Sequence, residues 1–171
     1  MTTAQIAMAA GIAEGTLFRV FPDKETLVKA AVQHAFDSKP AERELNNIDP
    51  ALEPREQLIV AVEIMQRRVE DVWQLMSMLG LQPPPLTKSP EPPSAATDSV
   101  HRKLAAMCEP LRGELRCSPE QAARLLRVMT FAGTHPRISE GIPLTAAEIV
   151  AVVLDGIRIR ADLDADTEAT C

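Results

Sequence analysis

Apolar residues recur every three or four positions along most of this chain, which is the spacing of a helix that buries one face. Shorter stripes of this kind predict helices over 24–37, 119–134 and 146–160. Another is predicted from about 99 to 116, with the alternative that Pro110 and Gly113 kink or shorten it. The longest stripe predicts a helix from about 55 to 79, with Leu58, Val62, Met65, Val69, Val72, Met76 and Leu79 on its inner face and Trp73 beside them. The pattern therefore predicts an all-α protein.

Prolines divide this series of helices, because proline lacks a backbone donor and has a fixed φ. Residues 39–53 contain Pro40 and Pro50 and are predicted to break the helical pattern. Residues 81–99 contain six prolines, and we expect the stretch 81–97 to be a mobile connection. A ligand for a proline-recognising domain is the alternative for that stretch.

Two helix starts near the end of the chain carry clear signals. Ser118 is followed by proline and then by Gln121, which predicts a capping box with proline at the first helical position. Thr145 and Glu148 predict a second capping box, which Leu144 and Ile149 flank as a hydrophobic staple.

The first thirty residues predict two short helices around a tight turn, followed by a third helix. Thr2 can cap the first helix, with Gln5 at the reciprocal position of a capping box. Gly11 follows that helix where a left-handed residue is needed. Pro22 stops the second helix, and Asp23 can cap the third.

The second of these helices, from about Glu14 to Phe21, has two different sides. Leu17, Phe18 and Phe21 are predicted on its inner side, at helical spacing. Small or polar residues are predicted on its outer side, namely Gly15, Thr16 and Arg19. A helix, a turn and a helix with such an outer face form the geometry that places a recognition helix in a DNA major groove.

These residues closely resemble the DNA-binding domain of TetR-family transcriptional regulators. A small helical hairpin with a buried Phe pair is the alternative. The agreement with the family pattern comprises Thr2 or Thr3, Ile6, Ala7, Ala10, Gly11, Gly15, Thr16, Leu17, Phe21, Lys24, Glu25 and Leu27. The resemblance implies an all-α fold with a helix-turn-helix head and a C-terminal helical body for ligand binding and dimerisation.

The chain departs from the family pattern at three positions of the second helix and its start. Phe18 keeps the ring of the family tyrosine but not its phosphate-contacting hydroxyl, and Val20 replaces a histidine. Ala13 replaces the capping serine, at a cost of about 1 kcal/mol of helix stability. Each change weakens the expected DNA contact without disturbing the packing side.

The resemblance also predicts the organisation of the chain. The family has a helix before the one that begins near residue 2, so the head is expected to be incomplete, through truncation or, alternatively, in a genuinely shortened protein. We expect residues 1–38 to form the helix-turn-helix DNA-binding domain, truncated at its N-terminus. Residues 39–171 are expected to form the effector-binding and dimerisation domain.

By position, the resemblance implies which residues touch double-stranded DNA. Thr3 and Lys24 would bind phosphates, and Phe18 would pack on the sugar-phosphate backbone. Glu14, Gly15, Thr16 and Arg19 would face base edges, with Arg19 on guanine, Glu14 on cytosine and the Thr16 methyl group on thymine. The alternatives are a first-turn carboxylate that favours the helix dipole for Glu14 and a solvated surface arginine for Arg19.

The last two predicted helices are apolar on more than one face, which predicts burial on both sides. We expect one side of each helix to pack on the chain's own core and the other side to pack on a partner. The resemblance implies the same, because the last two helices of the family form a four-helix bundle between subunits. A buried pair of helices in a monomer is the alternative. The homodimer interface is predicted to contain Leu125, Val128, Met129, Ala132, Val150, Val153, Leu154 and Ile157.

A small, apolar effector is the second partner that the resemblance implies. Stripes of methionine and aromatic residues at helical spacing more often form plain hydrophobic core, which is the alternative here. The predicted pocket is lined by Met65, Trp73, Met76, Met107 and Phe131.

Composition narrows the remaining classes of function. Enzyme and metal motifs are missing from the sequence, so no catalytic activity and no cofactor are expected. Three cysteines without metal spacing and the lack of a long apolar run or a signal peptide predict a cytoplasmic protein.

Charge favours the DNA-binding interpretation less than the motif does. The net charge is −6, and four basic and four acidic residues balance in the first 39 residues. Phosphate contacts would thus come from a few placed groups. The sequence predicts a ligand-responsive dimeric regulator of the repressor type that binds an inverted-repeat operator. The alternative is a helical dimer that binds a small ligand or a protein without binding DNA.

Overall fold

The structure is a computed structural model, and it describes residues 2–9, 11–80 and 95–158. The regular elements in these ranges are helical, apart from one isolated bridge between Leu115 and Arg158, so the all-α fold class is confirmed. Residue contacts divide the chain into two units, Met1–Asp37 with Asp71–Pro90, and Ser38–Glu70 with Glu91–Cys171.

The first unit contains three short helices and the end of a long one. Helix α1 spans Thr3–Ala9, α2 spans Glu14–Val20 and α3 spans Lys24–Phe36. Gly11 has a φ of 67°, so the turn after α1 uses the left-handed conformation that glycine adopts without strain. The predicted α1–turn–α2 arrangement and the third helix are therefore present.

The second unit contains the remaining helices and the main hydrophobic core. Five helices contribute fully buried large side chains to that core, namely Leu45, Leu58, Leu104, Leu126 and Ile149. The helices are α4 (Lys39–Asn46), α5 (Pro54–Met78, which continues into the first unit), α6 (Ala95–Cys108), a 3₁₀ helix (Glu109–Glu114), α7 (Pro119–Thr134) and α8 (Ala146–Ile157).

Both predicted helix starts near the end of the chain form side-chain caps. The Thr145 hydroxyl accepts from the Glu148 backbone N–H at 3.2 Å, and the Glu148 carboxylate accepts from the Thr145 backbone N–H at 2.8 Å. At α7, Ser118 accepts from the Gln121 backbone N–H at 3.2 Å. These bonds explain why α7 and α8 begin where the sequence predicts.

The prolines mislead the prediction at α4. Residues 39–46 form a helix although Pro40 suggests a break. Proline is tolerated in a first helical turn, where its missing N–H has no intrahelical partner to lose. Helix α6 ends at Cys108, and a 3₁₀ helix that contains Pro110 and Gly113 follows it. These two residues thus shorten the helix that the apolar stripe predicts to about residue 116.

The predicted mobile connection over residues 81–97 was wrong at its C-terminal end. Residues 81–94 lie outside the described residues. Residues 95–97, predicted as part of the mobile connection, belong to α6, which begins before the predicted start near residue 99.

Candidate nucleic-acid interface

The turn between α1 and α2 is fixed by local hydrogen bonds. Thr2 and Gln5 form the predicted capping box at the start of α1, because the Thr2 backbone N–H donates to the Gln5 side chain at 2.9 Å and the Gln5 backbone N–H to the Thr2 hydroxyl at 3.3 Å. After α1, the Ile12 backbone N–H donates to the Ala7 carbonyl at 3.0 Å. The capping box at its start and the turn at Gly11 thus define the two ends of α1.

Helix α2 packs on one side and is open on the other. Leu17 is buried, as is Ala7 of α1. Gly15, Thr16 and Arg19 are all exposed, as the spacing predicts. The outer face therefore offers a small surface, a hydroxyl with a methyl group and a guanidinium, which are groups that can approach base edges in a major groove.

Phe18 does not lie on the inner side of α2, where it was predicted to pack, because its side chain is 44% exposed. The reason is its angular position. Leu17 and Phe21 are four residues apart and share a face, whereas Phe18 lies about 100° further around the helix from Leu17. The exposed ring is available for the predicted contact with a sugar-phosphate backbone.

The starts of α2 and α3 differ in how they are capped. Ala13 is the N-cap of α2 and makes no side-chain hydrogen bond, as its substitution for serine predicts. After the helix, Asp23 caps α3 by accepting from the Thr26 backbone N–H at 2.7 Å. That hydrogen bond holds the pKa of the Asp23 carboxyl below its usual value. Lys24 begins α3 and is exposed.

The structure brings together two of the predicted DNA contacts in a way that the sequence did not reveal. The Thr3 hydroxyl donates to Glu14 Oε1 at 2.8 Å, which links the start of α1 to the start of α2. A separation of eleven residues across a turn gives no periodic signal. Thr3 and Glu14 were predicted to contact a phosphate and a base, and not each other.

The predicted ligand-pocket residues divide between the two units. Met65 and Met107 are buried in the core of the second unit. Trp73 and Met76 lie on the part of α5 that belongs to the first unit, and both are half-buried. Phe131 is 51% exposed on α7, with its ring centroid 5.2 Å from that of His135, so its placement in an internal pocket was wrong.

A cleft of about 340 Å³ in the second unit has a different lining from the predicted pocket. Its walls combine alanines with charged and polar side chains on α6, the 3₁₀ helix and α7. The lining consists of His101, Arg102, Ala105, Ala106, Glu109 and Glu120.

The thiols near the 3₁₀ helix are not activated for chemistry. Burial raises the pKa of the Cys108 thiol to about 12, with a smaller contribution from Cys117. Burial also raises the pKa of Cys117. Since the thiolate is the nucleophile and the metal ligand, both groups are poor candidates for either role. Among the residues that the structure describes, no three His, Cys, Asp or Glu side chains are grouped so as to hold a metal ion.

The predicted dimer residues fall into three sets, which are buried, half-buried and exposed. Val150, Val153 and Leu154 are buried in the chain's own core, so their assignment to a surface for a partner was wrong. Along α8 these positions share one face, whereas Val152 points to the other side. Val128 on α7 is 57% exposed, and Val152 on α8 is 58% exposed. Half-buried positions of the predicted interface are Leu125, Met129, Ala132 and Ile157.

Comparisons with known proteins agree with this geometry. Residues 1–31, which contain α1, α2 and the start of α3, match the model for bacterial regulatory proteins of the tetR family. A search of curated protein sequences finds no significant match. No helix in the described part of the chain is both long and apolar enough to cross a membrane.

Two solved structures are similar to most of the chain. One is a TetR transcriptional regulator from Streptomyces coelicolor, with 20% identity, a TM-score of 0.54, and coverage of 91% of this chain and 86% of that one. The other is a transcriptional regulator from Rhodococcus sp. Rha1, with 16% identity, a TM-score of 0.53, and coverage of 91% and 84%. At these identities the likeness shows the fold.

The chain is thus an all-α protein with a helix-turn-helix segment at its start and a helical body after it. Residues 1–31 match the tetR-family model, and the fold is similar to that of the two solved regulators, in agreement with the resemblance found in the sequence.

Proposed function

We propose that this protein is a DNA-binding transcriptional regulator that acts as a dimer on an inverted-repeat operator. The observation that carries the proposal is the coincidence of the family match over residues 1–31 with an α2 whose outer face is small, polar and exposed. Two such helices related by a two-fold axis address two half-sites of opposite orientation.

The side chains on this face define how the bases are read. The Arg19 guanidinium donates to guanine O6 and N7, and the Thr16 methyl group touches a thymine methyl. Gly15 allows the backbone of α2 to approach the bases closely. Lys24 neutralises a phosphate, and the exposed Phe18 ring packs on the sugar-phosphate backbone.

The proposed dimer uses the outer sides of α7 and α8. Val128 and Phe131 are three residues apart on α7 and both are exposed, and Val152 is exposed on α8. These apolar side chains lie on helices whose other sides are buried in the core. Burying them against the same surface of a second copy removes them from water, which is the main driving force of such association.

An effector fits this proposal as a ligand that favours one dimer arrangement over another. A ligand bound more tightly by the arrangement that does not fit DNA releases the operator, and the protein is then a repressor. The Met65 and Met107 side chains, buried in one core, support apolar ligand chemistry, since methionine adapts its shape to what it contacts.

Removing the Arg19 side chain tests the DNA-binding proposal. We expect Arg19→Ala to weaken binding to DNA flanking the protein's own gene about ten- to hundredfold, measured by fluorescence anisotropy. Arg102→Ala is the matched control, because it removes the same charge from an exposed position on α6. Equal affinities of the two variants for specific DNA would contradict the proposed role of Arg19.

A helical dimer that does not bind DNA is the second candidate. The balance of basic and acidic residues in the first 39 positions and the uncapped start of α2 favour it. Specific, salt-sensitive binding of DNA by the unaltered chain excludes this candidate.

A further inference from the structure

The hydrogen bond between Thr3 and Glu14 bears on how the protein selects its bases. Both residues belong to the first unit, and the Thr3 hydroxyl donates to one carboxylate oxygen, Glu14 Oε1, at 2.8 Å. The bond connects two helix starts that are eleven positions apart in the chain. Thr3 therefore fixes a side chain on the helix that is proposed to enter the major groove.

This bond conflicts with a phosphate contact from Thr3. A threonine hydroxyl has a single O–H to donate, and a phosphate oxygen is an acceptor. While the hydroxyl donates to Glu14, it cannot donate to a phosphate as well. In the arrangement that the structure shows, the Thr3 hydroxyl donates to Glu14.

Glu14 needs such a partner if it is to read a base. A carboxylate brought close to DNA is repelled by the phosphates, so an unrestrained Glu14 side chain would turn away from the groove. A donor on one oxygen offsets part of that repulsion and limits the rotamers of the side chain. The second carboxylate oxygen then can accept from the amino group of a cytosine.

We propose that Thr3 is a positioning residue for base selection, whose hydroxyl holds the Glu14 carboxylate in place to accept a hydrogen bond from cytosine N4. This inference rests on the proposed DNA-binding function and deepens it. Thr3 acts on specificity through Glu14, and the phosphate contacts come from other groups such as Lys24.

Selection from randomised duplexes by four forms of the chain tests this inference. The unaltered chain is expected to enrich cytosine at one position of each half-site. Thr3→Val, which keeps the shape of threonine without the hydroxyl, lowers that preference about fivefold or more, and Thr3→Ser retains it. Glu14→Gln changes the preference from cytosine towards adenine, because an amide pairs with adenine N6 and N7.

The distribution of the affinity loss among sequences separates this role from a phosphate contact. If Thr3 positions Glu14, Thr3→Val weakens the binding of duplexes with the preferred cytosine more than the binding of other duplexes. Uniform weakening of all duplexes by Thr3→Val would overturn the inference and restore a phosphate contact. An unchanged base preference in a folded Thr3→Val variant, or in Glu14→Gln, would overturn it too.

Failure of the proposed function itself gives a different result. In that case the unaltered chain enriches no sequence over the starting pool, and the inference falls with it. Circular dichroism of each variant shows whether its helices are retained, and Thr3→Ser provides a second, milder test of the hydroxyl.

Discussion

Single polar side chains determine where several helices of this protein begin. At α8, the Glu148 carboxylate accepts from both the backbone N–H and the hydroxyl of Thr145, each at 2.8 Å. The backbone hydrogen bond is the main reason why the pKa of Glu148 lies below its ordinary value of 4.5. The charged form of this side chain is therefore favoured in the folded state.

The cap on α8 predicts a pH dependence of stability. Since the folded-state pKa of Glu148 is lowered, its contribution is fully present above the unfolded value of 4.5 and is lost as the pH falls through the folded value. Glu148→Gln keeps a capping-box side chain without the charge. We expect urea unfolding between pH 7 and pH 3 to show a smaller loss of stability in this variant.

Glu63→Gln is the control for that experiment, because Glu63 is exposed on α5. Its stability should fall with pH as that of the unaltered chain does. If Glu148→Gln and Glu63→Gln have the same pH profile, the Glu148 carboxylate does not stabilise α8 through its charge.

At the scale of elements, periodicity predicted those helices whose ends coincide with caps or glycine. The stripe from Leu58 to Leu79 and the caps at Ser118 and Thr145 give α5, α7 and α8 nearly as the structure has them. The prediction was wrong at Pro40, because the sequence alone does not tell a proline in the first turn of a helix from one that breaks a helix. Geometry, and not composition, distinguishes the two.

Gln66 is a contact between elements that no periodic pattern reveals. Its side-chain amide on α5 donates to the Leu144 carbonyl at 2.7 Å and to the Thr134 hydroxyl at 3.1 Å, which connects α5 to the α7–α8 hairpin. Gln66→Leu is expected to lower the free energy of unfolding by about 1–3 kcal/mol, because it removes the donor from a part-buried carbonyl.

Chemical denaturation measures that loss, with Glu63→Leu as the matched control. The control introduces the same residue on an exposed face of the same helix, where substitutions usually change stability by about 0.5 kcal/mol or less. A Gln66→Leu variant as stable as Glu63→Leu would show that the amide is not needed to join these elements.

At the scale of the whole molecule, the sequence predicted which helices present apolar surface but not which residues do so. Val150, Val152 and Val153 are the same residue type on one helix, yet Val152 is exposed and the other two are buried. Glu148 and Asp155 lie four positions before and three positions after Val152, so they mark that side of α8 as the outer one, a contrast that the prediction of a helix apolar on more than one face did not use. For the candidate DNA interface, polar residues supplied that contrast, and the exposed face of α2 was predicted correctly.

A charge on the outer side of α7 should separate the proposed dimer. Phe131→Glu places a carboxylate at a position that is 51% exposed in the single chain. Folding should therefore be little affected, whereas burial of the charge between two copies is costly. We expect light scattering after gel filtration to show monomers for this variant and dimers for the unaltered chain.

Val20→Lys is the control for the dimer experiment, because Val20 is an exposed apolar residue on α2 in the first unit. This variant should remain dimeric. A monomeric unaltered chain, or a dimer that persists in Phe131→Glu, would contradict the proposed use of α7 as an interface.

The most direct test of the central claim is selection of genomic DNA fragments by the purified chain, followed by anisotropy titration of the enriched sequence at two salt concentrations. A two-fold symmetric sequence, bound more tightly than its scrambled version and more weakly at higher salt, is the predicted result. Enrichment of no sequence, with equal affinity for native and scrambled duplexes, would contradict a DNA-binding regulator and favour a helical dimer with another partner.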